Sequence, residues 1–305
     1  MNAHDLPDRS DPSDPADRAS RPATDVLHRQ IVERAVHTIQ SRFREEDLRL
    51  SVLADASFSS PFHLARLFRR IAGVPPGHFL TAVRMQAAKH LLVRTRLSVI
   101  DVCLEVGYSS VGTFTRRFRE LVGVSPRRYR RAAAGQSSPA APSTLADPLA
   151  AEPAASVSSL STVEGTVDGP DASGPIFVGL FASAVPQGRP VACALLTRYG
   201  TYRITQVPEG RYLALAVALD VDADPACEPD LRGAAAAPVT VGCDTHTRRV
   251  DIRLRHRLVT DPPIVIALPL LIAEAHARDV LSGAAEAPPH PARTPDRRGP
   301  SPRAV

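Results

Sequence analysis

Two blocks of the 305-residue chain differ in the spacing of their apolar side chains. In the first block, residues 26–132, Ile31, Ala35 and Ile39 recur every four residues, and a similar series lies between residues 64 and 71. This spacing places apolar side chains on one face of a helix, and it predicts an all-α domain.

The second block, residues 161–282, changes to a period of two. Polar and apolar residues alternate at 201–207 and 249–254, as is typical of half-buried strands. With further short apolar runs between Gly, Pro and Asp residues, this pattern predicts an all-β sandwich of about seven strands. The further runs are 175–182, 191–196, 211–219 and 238–243. We expect the apolar segment 263–281 to pack back on this sandwich.

Three segments outside these blocks are too poor in apolar residues to form a core. Residues 1–25 are rich in Asp, Pro and Ser, residues 133–160 in Ala, Pro and Ser, and residues 283–305 in Pro and Arg. Such compositions predict a disordered N-terminus, a disordered linker and a disordered C-terminal tail. The chain is therefore predicted to be multidomain.

Charge divides the chain in the same way. Residues 26–131 carry 19 Arg and Lys against 8 Asp and Glu, whereas the rest of the chain carries 18 against 24. A basic domain in an otherwise mildly acidic chain points to a polyanionic partner. A membrane surface also attracts cations. The residue pattern within the basic block therefore has to distinguish a soluble polyanion from a membrane surface.

Neither a metal site nor an exported protein is indicated. The cysteines form no C-x-x-C pair, and the N-terminus has no apolar signal region. The longest apolar run, 264–273, is too short to cross a bilayer and contains Pro269. We expect a cytoplasmic protein with reduced thiols, no cofactor and no membrane partner. The cysteines are Cys103, Cys193, Cys227 and Cys243.

The helical block contains an internal repeat at an offset of 50 residues. In each copy a serine precedes a short apolar helix and a glycine follows it, which are N-cap and C-terminal signals. Each copy therefore reads as a helix-turn-helix unit. The identical pairs are Ser60/Ser110, Arg66/Arg116, Phe68/Phe118, Arg69/Arg119, Gly73/Gly123, Val74/Val124 and Pro76/Pro126.

Two interpretations apply to the side chains of these helices. Leu64, Phe68, Phe114 and Phe118 are four residues apart in pairs and are expected to face the core. The arginines on the other faces form either a solvated surface or a polyanion site. The high density of cations favours the polyanion, because unneutralised cations repel one another.

Residues 62–74, 84–92 and 106–126 resemble the DNA-binding domain of AraC/XylS transcription regulators. The resemblance rests on an R…A…LL pattern within residues 84–92, and on a G-Y-S…F-x-R-x-F…G-x-S-P pattern in the second unit. It implies two helix-turn-helix units joined by a long helix, with one recognition helix from each unit in successive major grooves. A helix over about 77–93 would be about 25 Å long.

The resemblance also implies which side chains meet DNA. Arg66 and Arg116 are the strongest candidates for base recognition, because a guanidinium bridges guanine O6 and N7. The arginines farther along each helix are expected to contact phosphates. The candidate base contacts are Phe62, Ala65, Arg66, Val111, Gly112, Thr115 and Arg116. The candidate phosphate contacts are Arg69, Arg70, Arg117 and Arg119.

Two segments of the helical block depart from the family pattern. The first turn has Ser57, Phe58 and Ser59 where a glycine is expected, and Val111 with Gly112 gives the second helix few hydrogen-bonding groups. Either departure would lower base specificity in its half of the site.

The β block resembles a carboxypeptidase-regulatory-like, prealbumin-like sandwich at residues 165–167, 200–212 and 250–254. This resemblance implies a non-catalytic module. No catalytic set is found along the chain, and the acidic loop at 220–224 is more typical of a solvated connection than of a Ca²⁺ site.

The hypothesis is a sequence-specific DNA-binding transcription regulator and not an enzyme. Its expected partners are double-stranded DNA, RNA polymerase or another regulator, and a small-molecule effector or a second copy through residues 161–282. The alternative is a non-specific architectural DNA-binding protein with a scaffold β domain. An enzyme tethered to DNA is a third possibility, disfavoured by the lack of a catalytic site.

Overall fold

The computed structural model shows a helical part followed by a β-rich part. The residues that it describes are 15–134, 161–172, 174–182, 187–219, 229–235, 237–242 and 247–268. Most of the predicted linker, the acidic loop at 220–224 and the tail at 283–305 lie outside these ranges, as do Cys227 and Cys243.

Seven helices form the helical part among the described residues. Helix α1 begins at Pro15, inside the segment 1–25 that composition predicted to be disordered. Proline is favoured at a first helical position and Ala16 and Ala19 favour helix, so local propensity outweighs the low apolar content there. The helices are α1 Pro15–Arg42, α2 Leu50–Ala56, α3 Pro61–Ala72, α4 Pro76–Arg94, α5 Val99–Glu105, α6 Val111–Val122 and α7 Pro126–Ala133.

Helix α4 belongs to two hydrophobic cores. Phe79 and Leu80, near its start, pack with α1, α2 and α3 in the first core. Met85, Ala88 and Leu92, farther along, pack with α5, α6 and α7 in the second core. The predicted connecting helix is thus confirmed, and it is the element that both helix-turn-helix units share.

A second contact fixes the two units against each other. The turn at Gly107 has φ 80°, and a Cβ atom there would lie 2.8 Å from the carbonyl oxygen of Arg44, just beyond α1. Arg84 of α4 donates hydrogen bonds to the carbonyl oxygens of Phe43 (2.8 Å) and Glu45 (2.6 Å) in the same loop. The end of α1 is therefore held by the second unit and by α4.

Ten short strands form two sheets in the described part of the β-rich region. One sheet has the order β4-β1-β8, with β9 also paired to β1, and the other has the order β10-β6-β5-β2-β3, with β7 also paired to β5. The strands are β1 Ser161–Asp168, β2 Ile176–Phe181, β3 Ala192–Leu196, β4 Gly200–Val207, β5 Gly210–Ala218, β6 Leu231–Ala234, β7 Val239–Val241, β8 Thr247–Arg249, β9 Ile252–Arg253 and β10 Arg255–His256.

The predicted runs are confirmed as β2, β3, β4, β5 and β7, whereas the run at 249–254 is divided. Strands β8 and β9 both pair in parallel with β1, and Asp251 lies between them. Its carboxylate accepts hydrogen bonds from the backbone N–H and the hydroxyl of Thr166, both at 2.8 Å. These bonds lower the pKa of Asp251 and replace strand pairing where the ladder is interrupted.

The larger sheet is apolar on both faces. Its inner face shares a core with the smaller sheet, in which Val178 and Ala216 meet Val163 and Ile204. The outer face is covered by the described beginning of the apolar segment 263–281. The predicted packing of that segment on the β-rich part is therefore confirmed as far as Leu268.

Candidate nucleic-acid interface

The helices α3 and α6 begin and end by the same local chemistry. The hydroxyls of Ser60 and Ser110 each accept a hydrogen bond from the backbone N–H three residues later. Gly73 and Gly123 follow the two helices in the left-handed conformation, with φ 75° and 91°. These are the starts and stops that the repeat predicted, and they confirm the duplicated unit.

One face of each helix is fixed by packing. Leu64 and Phe68 of α3, and Phe114 and Phe118 of α6, are fully buried. The Phe68 ring meets Phe79 of α4 edge-on at 5.4 Å between centroids. Because the apolar faces point into the cores, the opposite faces of both helices are turned to solvent.

The predicted base-contact residues of α3 lie at the start of its exposed face. Phe62 is 82% exposed, Ala65 is half-buried and Arg66 is exposed. The Arg66 guanidinium lies 3.3 Å from Nδ1 of His63, one turn earlier. A hydrogen bond there holds the arginine along the helix when that nitrogen is unprotonated.

The equivalent residues of α6 are arranged in the same way. Gly112 and Arg116 are exposed, and Val111 and Thr115 are half-buried. The Arg116 side chain is 70% exposed and lies 3.9 Å from Glu120, which is a weak surface ion pair. The structure thus brings Arg66 and Arg116 to corresponding places on the two helices.

All four predicted phosphate-contact residues are exposed. Arg70 lies 2.8 Å from Nδ1 of His28 in α1, and Arg117 forms a 3.2 Å ion pair with Glu120. These partners orient the guanidinium groups without burying them. The remaining two, Arg69 and Arg119, lie on the same helices.

Three cations of the basic block have structural roles that the charge count did not separate. Arg84 is half-buried beneath the ring of Tyr108, and burial lowers its pKa. Arg130 donates to the carbonyl oxygens of Leu92 (3.0 Å) and Leu97 (2.6 Å), beside and beyond the end of α4. Lys89 is 3% exposed. These three side chains stabilise the fold and are not part of the exposed basic face.

The turn before α3 contains an exposed aromatic residue that the sequence did not mark as a candidate DNA contact. Phe58 occupies the left-handed region with φ 52°, is 85% exposed and lies under the Arg34 guanidinium at 5.6 Å. Ser57 is buried and donates a 2.6 Å hydrogen bond to the carbonyl oxygen of Leu53. The signal that marks this turn is the missing glycine, because a non-glycine residue then has to adopt a positive φ.

Comparison with known proteins agrees with this arrangement. Residues 53–132 match the helix-turn-helix domain family. This segment, from within α2 to the last turn of α7, is a helix-turn-helix domain. The transcriptional activator AarP of Providencia stuartii is 37% identical over 83 residues, which are 27% of this chain and 62% of AarP.

The similarity to other curated proteins covers segments of about the same length. An uncharacterized transcriptional regulator of Haemophilus influenzae is 37% identical over 87 residues, or 28% of this chain and 29% of its own length. The bifunctional transcriptional activator and DNA repair enzyme AdaA of Bacillus subtilis is 34% identical over 86 residues, 28% of this chain and 41% of AdaA. The chain covers less than two thirds of each of these relatives.

Among solved structures, the C-terminal domain of AraT, a response regulator from Geobacillus stearothermophilus, is 35% identical. The alignment covers 36% of this chain and 90% of that domain, with a TM-score of 0.33.

Among the helices that the structure describes, none has the length and hydrophobicity needed to cross a membrane.

Proposed function

We propose that the chain is a sequence-specific DNA-binding transcription regulator of the AraC type. The observation that carries the proposal is the equivalent exposure of Arg66 and Arg116 on two capped helices on either side of α4. With 19 residues, α4 is about 28 Å long. That length suits two recognition helices placed about one turn of DNA, roughly 34 Å, apart.

The exposed side chains divide into two tasks. Arg66 and Arg116 lie near the start of each helix, where a recognition helix meets base edges, and a guanidinium there reads guanine. Arg69 and Arg119 lie one turn later, where contacts to phosphates fix the position of the helix without reading sequence. Exposed Phe62 offers its ring to a thymine methyl group.

The alternative is a non-specific architectural protein with a scaffold β domain. It is favoured by Val111 and Gly112, whose side chains offer no hydrogen-bonding group to a base. Selection of bound sequences from a random DNA pool separates the two proposals. A consistent motif spanning two half-sites supports the regulator, whereas enrichment without a motif supports the architectural protein.

The two arginines give the sharper test. We expect Arg66→Ala and Arg116→Ala each to cost about 1–3 kcal/mol at the selected site and to relax preference at one base position. Exposed Arg96, outside both recognition helices, is the matched control for loss of one charge. Equal losses on selected and random DNA would show that the two arginines contact phosphates instead.

We assign the β-rich part a non-catalytic role. It resembles a carboxypeptidase-regulatory-like sandwich, and the region shared with the bifunctional AdaA is limited to the helix-turn-helix segment. Effector binding or self-association through residues 161–282 is tested by sedimentation of the full chain with and without DNA. Contact with RNA polymerase or another regulator is tested by transcription reconstituted from purified components.

A further inference from the structure

Residues 264–268, here called the interdomain segment, lie between the β-rich part and the second helix-turn-helix unit. Ile264, Ile266 and Leu268 pack on the outer face of the larger sheet. Val265 and Ala267 belong to the core of the second unit. Alternate side chains of one short segment therefore join two hydrophobic cores.

The same segment reaches the end of recognition helix α6. The backbone N–H of Ala267 donates to the carbonyl oxygen of Val122 at 3.1 Å, and that of Gly188 donates to Leu121 at 2.8 Å. The last carbonyl groups of a helix have no partner within the helix. In α6 two of them are satisfied by backbone of the β-rich part.

Lys89 of α4 marks the centre of this contact. It is the single lysine of the chain, and its Nζ lies 3.3 Å from the carbonyl oxygen of Ile264 and 3.5 Å from that of Ile266. Gln86 Oε1 accepts a further hydrogen bond from it at 3.0 Å. A buried ammonium group is tolerated only where such acceptors replace water, so the interdomain segment is part of its solvation.

We propose that the β-rich part is docked within the same molecule on the second unit, and that this docking controls how firmly α6 reads its half of the DNA site. The control of DNA reading by docking rests on the proposed function. Docking occupies the end of α6 at Leu121 and Val122 and leaves Gly112 and Arg116 exposed at its start. It is therefore compatible with bound DNA, and a ligand or partner of the β-rich part acts on DNA through these contacts.

The first experiment contains no DNA and so tests docking independently of the proposed function. A protease site is inserted in the predicted linker of the full chain, between residues 140 and 155, and the cleaved protein is examined by size exclusion with multi-angle scattering. We expect both fragments to elute together at the mass of one chain. Separate elution overturns docking, and co-elution at twice that mass overturns docking within one molecule.

A paired variant ties the result to the interdomain segment. Val265→Asp with Ala267→Asp places two charges in the second core, and we expect the cleaved fragments to separate. Val259→Asp is the control, because Val259 is 58% exposed. Circular dichroism of each separated fragment checks that both remain folded. Fragments of the double variant that stay together overturn the role of the segment.

Lys89 supplies a readout in which the reporting residue itself is not substituted. With an amine-acetylating reagent we expect slow modification of Lys89 in the intact protein and rapid modification in the Val265→Asp, Ala267→Asp variant, followed by mass spectrometry of peptides. Equal rates in the intact and the urea-unfolded protein overturn docking.

The coupling to DNA is tested on the full chain with the selected site. We expect loss of the two hydrogen bonds at the end of α6 to weaken DNA binding roughly tenfold, an effect of the size that one or two hydrogen bonds contribute. We expect the double variant to lose protection of the second half-site in a footprint while the first half-site stays protected. Unchanged affinity overturns the coupling. If neither the unsubstituted chain nor the double variant binds DNA, the proposed function and the coupling both fail. Docking alone then stands, provided that the cleaved fragments co-elute.

Discussion

Substitution of Gly107 by alanine tests how the two helix-turn-helix units are held together. The turn between α5 and α6 approaches the loop after α1 so closely that a Cβ atom on Gly107 would lie 2.8 Å from Arg44 O and 2.9 Å from Phe43 O. Both atoms belong to the backbone, and one of them already accepts a hydrogen bond from Arg84. Neither can move without disturbing the end of α1.

Two costs add at this position. The left-handed conformation, φ 80°, costs a residue with a Cβ atom about 1–2 kcal/mol. Forcing an extra carbon into a filled space costs about 1–3 kcal/mol more. We therefore expect Gly107→Ala to lower the free energy of unfolding by about 2–5 kcal/mol, a large share of the roughly 5–15 kcal/mol that stabilises an ordinary domain.

Two other glycines separate these costs. Gly73 has φ 75° with nothing within 4 Å of a Cβ atom, so Gly73→Ala is expected to cost only the strain, about 1–2 kcal/mol. Gly77 lies in α4 in open space, and Gly77→Ala is expected to stabilise the helix by up to about 1 kcal/mol. Urea unfolding followed by helical circular dichroism measures all three, since the chain has no tryptophan.

The relative free energies of unfolding of the three variants show whether the close approach at Gly107 constrains the two units. If Gly107→Ala costs no more than Gly73→Ala, the loop after α1 yields freely and the second contact between the units does not constrain them. DNA footprinting of Gly107→Ala then shows whether α6 keeps its place relative to α3. A destabilised protein with an unchanged footprint would assign orientation to α4 alone.

Two further predictions concern charged groups. Arg84→Met is expected to cost about 1.5–3 kcal/mol for its hydrogen bonds to two carbonyl oxygens, whereas Arg96→Met stays within about 0.5 kcal/mol; urea unfolding checks both. Burial alone would raise the pKa of Asp261, but hydrogen bonds from Arg255 and the Leu258 N–H lower it overall. We expect Asp261→Asn to destabilise the protein above about pH 4, with the difference vanishing as pH falls through the native pKa, as thermal unfolding against pH will show.

The helical part was predictable from the sequence because its signals are local. Ser60 and Gly73 mark the ends of α3 within the helix's own neighbourhood, and the repeat marks α6 a second time. The apolar period of four residues identifies Leu64 and Phe68 as buried. Each of these features depends on residues a few positions apart, so no knowledge of tertiary contacts is needed.

Contacts between distant segments were not predictable in the same way. Strand β1 has small residues at inward positions, and Gly165 is required there because any Cβ atom would collide with the carbonyl oxygen of Val250. The sequence shows a weak alternation and gives no sign of that approach. The roles of the cations in the basic block posed a related difficulty. Only the fold distinguishes Arg84 and Lys89, which are held inside the protein, from Arg66 and Arg116, which are on the surface.

The division into two independent blocks was incomplete for a physical reason. The sequence placed Val265 and Ala267 in an apolar segment that packs on the β-rich part. In the structure it is Ile264, Ile266 and Leu268 that pack there. The segment presents two faces, and the sequence shows only that the residues on both are apolar. The second face is covered by the hydrophobic core that α4, α5, α6 and α7 form.

The sharing of α4 between two cores limits how such a protein can change. One residue inserted in its middle would turn everything beyond it by about 100° and advance it by about 1.5 Å, so that Met85 or Phe79 would leave its core. The separation of α3 from α6 is therefore a quantity that mutation cannot adjust in small increments. A new spacing of half-sites would have to be met by bending the DNA, while new base preferences can arise one exposed side chain at a time.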